Sequence, residues 1–271
     1  MVDLSAALEV ATATHSGMVR SHNEDSIAAD AGIGLAVLAD GMGGYNAGEV
    51  ASGIAVAMIA TEMKKALGDG TGELPNGGIE SLVGEHVGQA NAAIYKAAQN
   101  QPQYSGMGTT LVVALWHDNR IVVGHVGDSR LYRLRGESFE QVTRDHSLLQ
   151  EQIDSGMITR EQARYSQNKN LVTRAVGIDP EVETEVHTYP VKPGDIYLLC
   201  SDGLNDMVSD EDIHLTLSSL RANLPLAAEQ LVQQANDNGG RDNISVILVR
   251  VLKDFPGHHA GWLGKLKTWF G

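Results

Sequence analysis

Strand-type and helix-type segments come in blocks along this chain and do not alternate one by one. Short β-type runs open it at Ala7–Thr14, Ser26–Asp30 and Ile33–Ala39, separated by glycines in the manner of hairpins. A helical stretch follows from Ala47 to Leu67, where Ala51, Ile54, Ala55, Met58 and Ile59 recur at helical spacing. The Gly-, Asp- and Asn-rich stretch Gly68–Gly78 reads as a loop into a second helix, Ile79–Asn100, so an antiparallel helical hairpin is expected. Strands return at Thr109–Trp116, Arg120–Val126 and Arg130–Arg135, with turns at His117-Asp118-Asn119 and Gly127-Asp128-Ser129. Further strands are expected at Glu185–Tyr189 and Asp195–Cys200, then short helices near Ser209–Leu220 and Pro225–Asn236, then a last strand at Ile244–Leu252. A parallel doubly wound sheet needs a crossover helix between successive strands. The block order instead predicts an α+β chain of packed antiparallel sheets with helices outside. There is no internal repeat and no linker, so one domain is expected.

The segment from His146 to about Asn170 is polar, with few core residues, and reads as an exposed insertion. Of the 271 residues 42% are hydrophobic, enough for a sizeable core, and the net charge of −14 argues against a nucleic-acid binder, which needs a basic face for phosphates. The single cysteine, Cys200, lies in the apolar run Ile196–Cys200, so no internal disulfide forms and the thiol reads as a small buried hydrophobe. No basic segment followed by an apolar stretch marks a signal peptide, and no window reaches the roughly 18 apolar residues of a membrane span. A cytoplasmic, soluble protein is expected.

Asp40 ends the run Leu35–Ala39, Asp202 closely follows Ile196–Cys200, and Asp242 opens Ile244–Leu252. A carboxylate at the rim of a sheet is held by a rigid element, as a metal site requires. Asp40 and Asp202 are each followed by glycine, which lets the backbone turn sharply and admits a carbonyl or water to the coordination shell. Asp-Gly is also a common turn signal, and taken singly each pair reads more readily as a turn. Carboxylates brought together raise one another's pKa, and bound cations relieve that conflict. An oxygen donor set without a Cys or His cluster suits Mg²⁺ or Mn²⁺ better than Zn²⁺. One carboxylate bridging two such ions, about 3.5–4 Å apart, holds a water as hydroxide and neutralises a phosphoryl group.

Ordered motifs sharpen this reading. They are Gly17-Met18-Val19-Arg20-Ser21-His22-Asn23-Glu24-Asp25, Ala39-Asp40-Gly41-Met42-Gly43-Gly44, Gly108-Thr109-Thr110 and Gly127-Asp128-Ser129-Arg130-Leu131-Tyr132. Then follow Thr143-Arg144-Asp145-His146-Ser147, Asn170-Leu171-Val172-Thr173-Arg174-Ala175-Val176-Gly177, Cys200-Ser201-Asp202-Gly203-Leu204 and Asp242-Asn243-Ile244-Ser245. In this series, over roughly Val10 to Leu252, the chain resembles bacterial members of the PP2C-type (PPM) metal-dependent serine/threonine protein phosphatases. The resemblance implies a central sandwich of two antiparallel sheets flanked by pairs of helices, in α/β/β/α layers, with residues 146–170 as a flap. It implies that Asp40 bridges two Mn²⁺ or Mg²⁺ ions, that the Gly41 carbonyl binds one of them, and that Asp202 and Asp242 are the remaining direct ligands. Glu24 and Asp25 match acidic residues acting through waters. Asp128 matches a position that, with Asp202, holds a third, weaker ion, and Asp206 an acidic residue at the site edge. Arg20 matches the arginine that binds substrate phosphate, and a guanidinium fork suits two phosphoryl oxygens. Ser129, Arg130, Thr109 and Thr110 read as supports.

One position departs from the pattern. Eukaryotic relatives carry a histidine after the Asp-Gly pair as the proposed proton donor to the leaving group; here it is Met42, which has no proton to give. His146, His22 or a metal-bound water are the remaining candidates, and the general acid stays unassigned. The implied partners are phosphorylated proteins, with a Ser/Thr kinase and its targets among them, and a monomer is expected. A non-catalytic binding module on the same fold and a hydrolase of other phosphoesters stay open as alternatives. Residues 253–271 read as a separate amphipathic tail, with Trp262, Leu263, Leu266, Trp269 and Phe270 on one helical face, a candidate for membrane-surface or partner contact or for docking on its own domain.

Overall fold

The structure is a computed structural model that describes residues 3–44, 47–68, 78–163 and 171–257. The strands are β1 (Leu8–His15), β2 (Asp25–Asp30), β3 (Leu35–Met42), β4 (Gly108–Thr109), β5 (Leu111–His117), β6 (Arg120–Val126), β7 (Arg130–Arg135), β8 (Ser138–Gln141), β9 (Glu185–Pro190), β10 (Ile196–Cys200) and β11 (Ile244–Val251). The helices are α1 (Ala47–Gly68), α2 (Gly78–Asn100), α3 (Leu148–Asp154), α4 (Arg160–Ala163), α5 (Asp202–Asn205), α6 (Asp210–Ser219) and α7 (Leu224–Asp237). One sheet has the order β1-β11-β10-β7-β8; the other runs β2-β3-β5-β6-β9, with β4 paired to β3. Every strand pairing is antiparallel.

The period-2 alternation of each central strand builds the layers. On β3, Leu35, Val37 and Ala39 face α1 and α2, while Ala36 and Leu38 face the other sheet. On β11, Val246 and Leu248 pack toward α6 and α7, while Ile247, Val249 and Val251 fill the space between the sheets. Both faces of these strands are therefore buried, which explains their near-continuous apolar sequence. Trp116 of β5 and Tyr197 of β10 join the sheets edge to face, with ring centroids 5.5 Å apart and planes at 75°. The result is the expected α/β/β/α sandwich.

Two of the expected hairpins are connections between sheets. Gly127-Asp128-Ser129 carries the chain from β6 in one sheet to β7 in the other, and residues 16–24 do the same between β1 and β2. Local apolar alternation reveals strands but not which sheet each joins, so these two links look like ordinary turns in the sequence. Asp118-Asn119 is a true hairpin turn: φ is 48° and 56°, the paired left-handed conformation that suits Asp and Asn. The short edge strand β8 was not anticipated; it is polar and, apart from Phe139, exposed, so it lacks the apolar signal. The chain beyond Leu252 stays attached to the sandwich, since Phe255 enters the inter-sheet core and its N–H donates to Asn119 Oδ1 at 2.6 Å. The proposed amphipathic face of the tail lies outside the described residues.

The register fixes where the functional residues meet. Cys200 at the end of β10 pairs with Arg130 at the start of β7 and with Val246 near the start of β11. In the other sheet Asp40 near the end of β3 pairs with Asp25 at the start of β2. Both inter-sheet links leave from this same end of the sandwich, because His15 pairs with Ile244 and Val126 with Leu111.

Candidate metal centre

β3 does not turn at Asp40-Gly41. It continues as a strand, with Gly41 opposite Thr109 and Met42 opposite Gly108. Neither Gly41 nor Gly203 has a positive φ. A Cβ on Gly41 would lie 2.1 Å from the Gly48 carbonyl oxygen and 2.6 Å from that of Glu24; on Gly203 it would lie 2.0 Å from the Asn243 carbonyl oxygen. The expectation that these glycines turn the backbone is thus corrected: they let neighbouring main chains approach closely beside each aspartate. Asp202 itself opens α5, with Ser201 at the N-cap.

Asp40 is held through its backbone. Its N–H donates to Thr110 Oγ1 at 3.1 Å, and its carbonyl accepts from Thr110 N–H and Thr109 Oγ1, each at 2.9 Å. Thr110 Oγ1 in turn lies 2.7 Å from Ser129 Oγ. These residues are the supports the sequence suggested, and they leave the Asp40 carboxyl free for the site. Burial pushes that carboxyl well above the usual carboxylate range, and the charges of Asp25, Asp202, Asp128 and Asp242 add to the rise. Asp202 is likewise raised, first by burial and then by Asp128, Asp206, Asp242 and Asp25. Mutual repulsion of this kind requires that the carboxyls share one locality. The convergence that the sequence left open is therefore present.

Asp25 stands at the centre of this group. Burial raises it to about 6, against the hydroxyls of Ser245 and Ser201 and a hydrogen bond with Asp40, which lower it. Ser201 Oγ donates to Asp25 Oδ2 at 2.8 Å, while Oδ1 is buried with no partner. Glu24 lies at the rim: burial raises its carboxyl, Arg20 opposes that rise and Asp242 adds to it. Arg20 Nη2 donates to Asp242 Oδ2 at 2.7 Å, and about half of the arginine side chain remains exposed. Asn243, which sequence reasoning left without a role, ties this edge together. Its Oδ1 accepts from Glu24 N–H at 2.8 Å, and its Nδ2 donates to the carbonyls of Ser16 at 3.0 Å and His22 at 2.8 Å.

Asp128 is buried in the β6–β7 link and raised to about 6, by burial first and then by Asp145 and Asp206. Asp206 is four residues beyond Asp202 on the same helical turn, its N–H donating to the Asp202 carbonyl at 2.8 Å. Asp128, Asp202 and Asp206 line a cleft of about 300 Å³, whose far wall includes Leu149 and Ile153 of α3 in the insertion. Asp145 also lines it and grips Arg130 Nε and Nη2 at 2.7–3.1 Å. Ser201, Ser245 and Asp145 were missed as site residues, although each lies inside a quoted motif and Ser201 directly precedes the predicted ligand Asp202. Cys200 is inert, its thiol pushed up to about 12 by burial.

His146 does not fill the place left by Met42. His146 accepts from Gly127 N–H at Nδ1 (3.1 Å) and bonds Glu185 Oε1 through Nε2 (3.1 Å), so both ring nitrogens are engaged away from the carboxyl cluster. His22 is exposed, and its backbone carbonyl is its link to Asn243.

The residues present fit hard divalent cations. All donors are oxygens, one buried carboxylate oxygen lacks a partner, and several carboxyls are destabilised by one another. Asp40, Asp202 and Asp242 with the Gly41 carbonyl are the candidate ligands, and Asp128 sits beside Asp202 for a further ion.

Comparison with known proteins agrees. The protein phosphatase 2C family model matches residues 14–244. A serine/threonine phosphatase stp from Listeria welshimeri is 37% identical over 243 residues, covering 87% of this chain and 93% of its own. The crystal structure of the Mycobacterium tuberculosis serine/threonine phosphatase PstP/Ppp superposes with a TM-score of 0.83 at 37% identity, covering 91% of this chain and 99% of that one. The catalytic domain of PstP in complex with two manganese ions superposes with a TM-score of 0.80 at 38% identity, covering 91% and 99%. With the ordered motifs, the sandwich and the carboxylate cluster in agreement, the chain belongs to the protein phosphatase 2C family.

Proposed function

We propose that this protein hydrolyses phosphoserine and phosphothreonine in proteins, with two Mn²⁺ or Mg²⁺ ions held by Asp40, Asp202, Asp242 and the Gly41 carbonyl. The observation that carries the reading is the convergence of Asp25, Asp40, Asp128, Asp202 and Asp242 at one end of the sandwich with Arg20 at its rim. Cations in such a site supply an activated water and positive charge over the phosphoryl oxygens. The chain's own part is to hold and orient. Thr109 and Thr110 fix the Asp40 backbone, from which its carboxylate would bridge the ions; Asp25 accepts from Ser201 Oγ, and Glu24 stands at the rim. Arg20 is tethered lightly enough that a phosphate competes with Asp242 for its guanidinium.

The relatives named for serine/threonine phosphatase activity support the substrate class. A Ser/Thr kinase and its targets are the partners proposed, in the cytoplasm, with the protein acting as a monomer. Among the described residues no helix is long and apolar enough to cross a membrane. The test presents phosphoserine, phosphothreonine and phosphotyrosine peptides beside small phosphoesters, with Mn²⁺ and with EDTA. Mn²⁺-dependent turnover that prefers phosphoserine or phosphothreonine peptides is expected. Preference for a small phosphoester would shift the substrate class. Peptide binding without turnover would make the protein a binding module.

A further inference from the structure

Ligand-type atoms of His125, His146 and Glu185 lie within 4.8 Å of one another, on the inner face of the sheet edge. The hydrogen bonds exclude His146 as a metal ligand. Its Nδ1 takes the Gly127 N–H at 3.1 Å, so that nitrogen keeps its lone pair and the ring proton sits on Nε2, toward Glu185 Oε1 at 3.1 Å. A cation at Nε2 would force the proton onto Nδ1, against an N–H donor. The cluster has another use.

His146 and Gly127 bond each other twice, since His146 N–H also donates to the Gly127 carbonyl at 2.9 Å. Asp128 is the next residue. The His146 carbonyl accepts from Thr173 N–H at 2.8 Å, and Leu148 N–H donates to the Leu171 carbonyl at 2.9 Å, so the outgoing and returning limbs of the insertion meet here. Ser147 caps α3, its Oγ accepting from Gln150 N–H at 3.2 Å. His125 stacks on the His146 ring, with centroids 4.6 Å apart, and donates through Nε2 to the Arg144 carbonyl at 2.9 Å. Glu185 faces His125 across the β6–β9 pair. Every connection of His146 therefore runs to the Asp128 link, to the root of the insertion, or to the two residues that fix its ring.

We infer that His146 is a positioning residue that locks the Gly127–Asp128 link to the root of the flap, with Glu185 setting the ring tautomer that makes the lock possible. Occupancy of the weaker cation position at Asp128 and the order of the flap root are then one coupled property. The inference rests on the reading of Asp128 as a cation ligand given above.

The test compares His146→Asn, whose Oδ1 replaces the acceptor at Nδ1, with His146→Gln, which reaches Glu185 but leaves Gly127 N–H without its acceptor. The full-length protein is titrated with Mn²⁺ alone by calorimetry, and amide hydrogen exchange is followed at residues 127–129 and 171–173. His146→Gln is expected to weaken the low-affinity Mn²⁺ phase about tenfold or more, the usual scale for a residue that orients a ligand, while the tight phase stays within about twofold. It should also speed exchange at both segments, and His146→Asn should restore both readouts most of the way. Equal behaviour of the two variants, or loss of the tight phase along with the weak one, would overturn the lock. Should His146→Gln fail to fold, Glu185→Ala takes its place, and unchanged exchange at 127–129 counts against the lock. Asp128→Asn separates the two claims. If the low-affinity phase survives it, the cation reading of Asp128 fails, and the lock is judged on the exchange data.

Discussion

Asp25 and Asp40 stand directly opposite each other across the β2–β3 pair, and the Asp40 carboxyl feels the charge of Asp25. Like charges opposed on neighbouring strands destabilise a sheet. Here both carboxyls are raised by burial, Asp25 to about 6 and Asp40 well above the usual carboxylate range, with Asp202 adding its charge to the rise at Asp40. A fold that keeps this pair at the centre of its sandwich end has placed a destabilising element where divalent cations relieve it.

Asp40→Asn therefore separates stability from activity. The backbone of Asp40 makes its hydrogen bonds to Thr109 and Thr110, and these survive the change. Removing one of the opposed charges should raise the melting temperature in EDTA by a few degrees, since about 1 kcal/mol corresponds to roughly 2–4 °C at this size. Mn²⁺-dependent kcat should fall by roughly a thousandfold or more, the scale of losing a charge-stabilising group. Retained Mn²⁺-dependent activity would remove Asp40 from its bridging role.

The pH dependence follows from the sign of the shifts. Asp25 and Asp128 are raised to about 6 in the folded protein from the ordinary aspartate value of 3.8. The folded state thus binds more protons than the unfolded chain between these values, and the stabilisation their protonation gives is lost as pH rises through about 6. Metal-free protein should melt at a lower temperature at pH 7 than at pH 5.5 through these groups. Cations need the ionised carboxylates, so Mn²⁺ affinity should run the other way, with more protons released on binding at pH 6 than at pH 8. Calorimetry in buffers of different ionisation enthalpy measures that release. Equal Mn²⁺ affinity at pH 5.5 and 7.5 would show that these carboxyls do not take part.

The glycine assignments make a sharper structural claim. Gly41→Ala and Gly203→Ala push a methyl against backbone carbonyls that cannot swing aside. Each should cost about 2 kcal/mol or more, within the overpacking range, and weaken Mn²⁺ binding by displacing the backbone beside Asp40 or Asp202. Gly53, inside α1, has open space around it, so Gly53→Ala should stabilise by up to about 1 kcal/mol. Melting curves of the variants with and without Mn²⁺ decide this. A neutral Gly41→Ala would mean that the close approach of Gly48 is not a constraint.

Much of this was legible in the sequence, for identifiable reasons. The near-continuous apolar runs of β3, β10 and β11 are local signals, and Asp40, Asp202 and Asp242 each lie at or beside an end of one. Non-local pairing was not legible. Gly127-Asp128-Ser129 looks like a hairpin turn because nothing within the run records that β6 and β7 lie in different sheets. The same blindness hid the register that sets Asp25 opposite Asp40, and it hid Ser201, which serves Asp25 across 176 residues of chain. The Asp-Gly pairs were misread as turns because closeness of Gly48 to Gly41, or of Asn243 to Gly203, is a tertiary fact.

Asn243 offers the last test, because it links the fold to substrate binding. Its side chain is buried and makes three hydrogen bonds, all to the main chain of residues 16–24, on either side of Arg20. Asn243→Ala leaves the Glu24 N–H and the carbonyls of Ser16 and His22 without these partners. A cost of about 1–3 kcal/mol is expected for groups stranded in this way. The loosened segment still carries Arg20, which among the described residues pairs with Asp242. KM for phosphopeptides and the inhibition constant of inorganic phosphate should therefore rise together, about tenfold if one charge-assisted contact worth roughly 1.5 kcal/mol is lost, with a smaller change in kcat. Arg20→Ala should then add little to the KM of Asn243→Ala, since both remove the same contact. A fall in melting temperature with KM and phosphate inhibition unchanged would assign Asn243 to the fold alone.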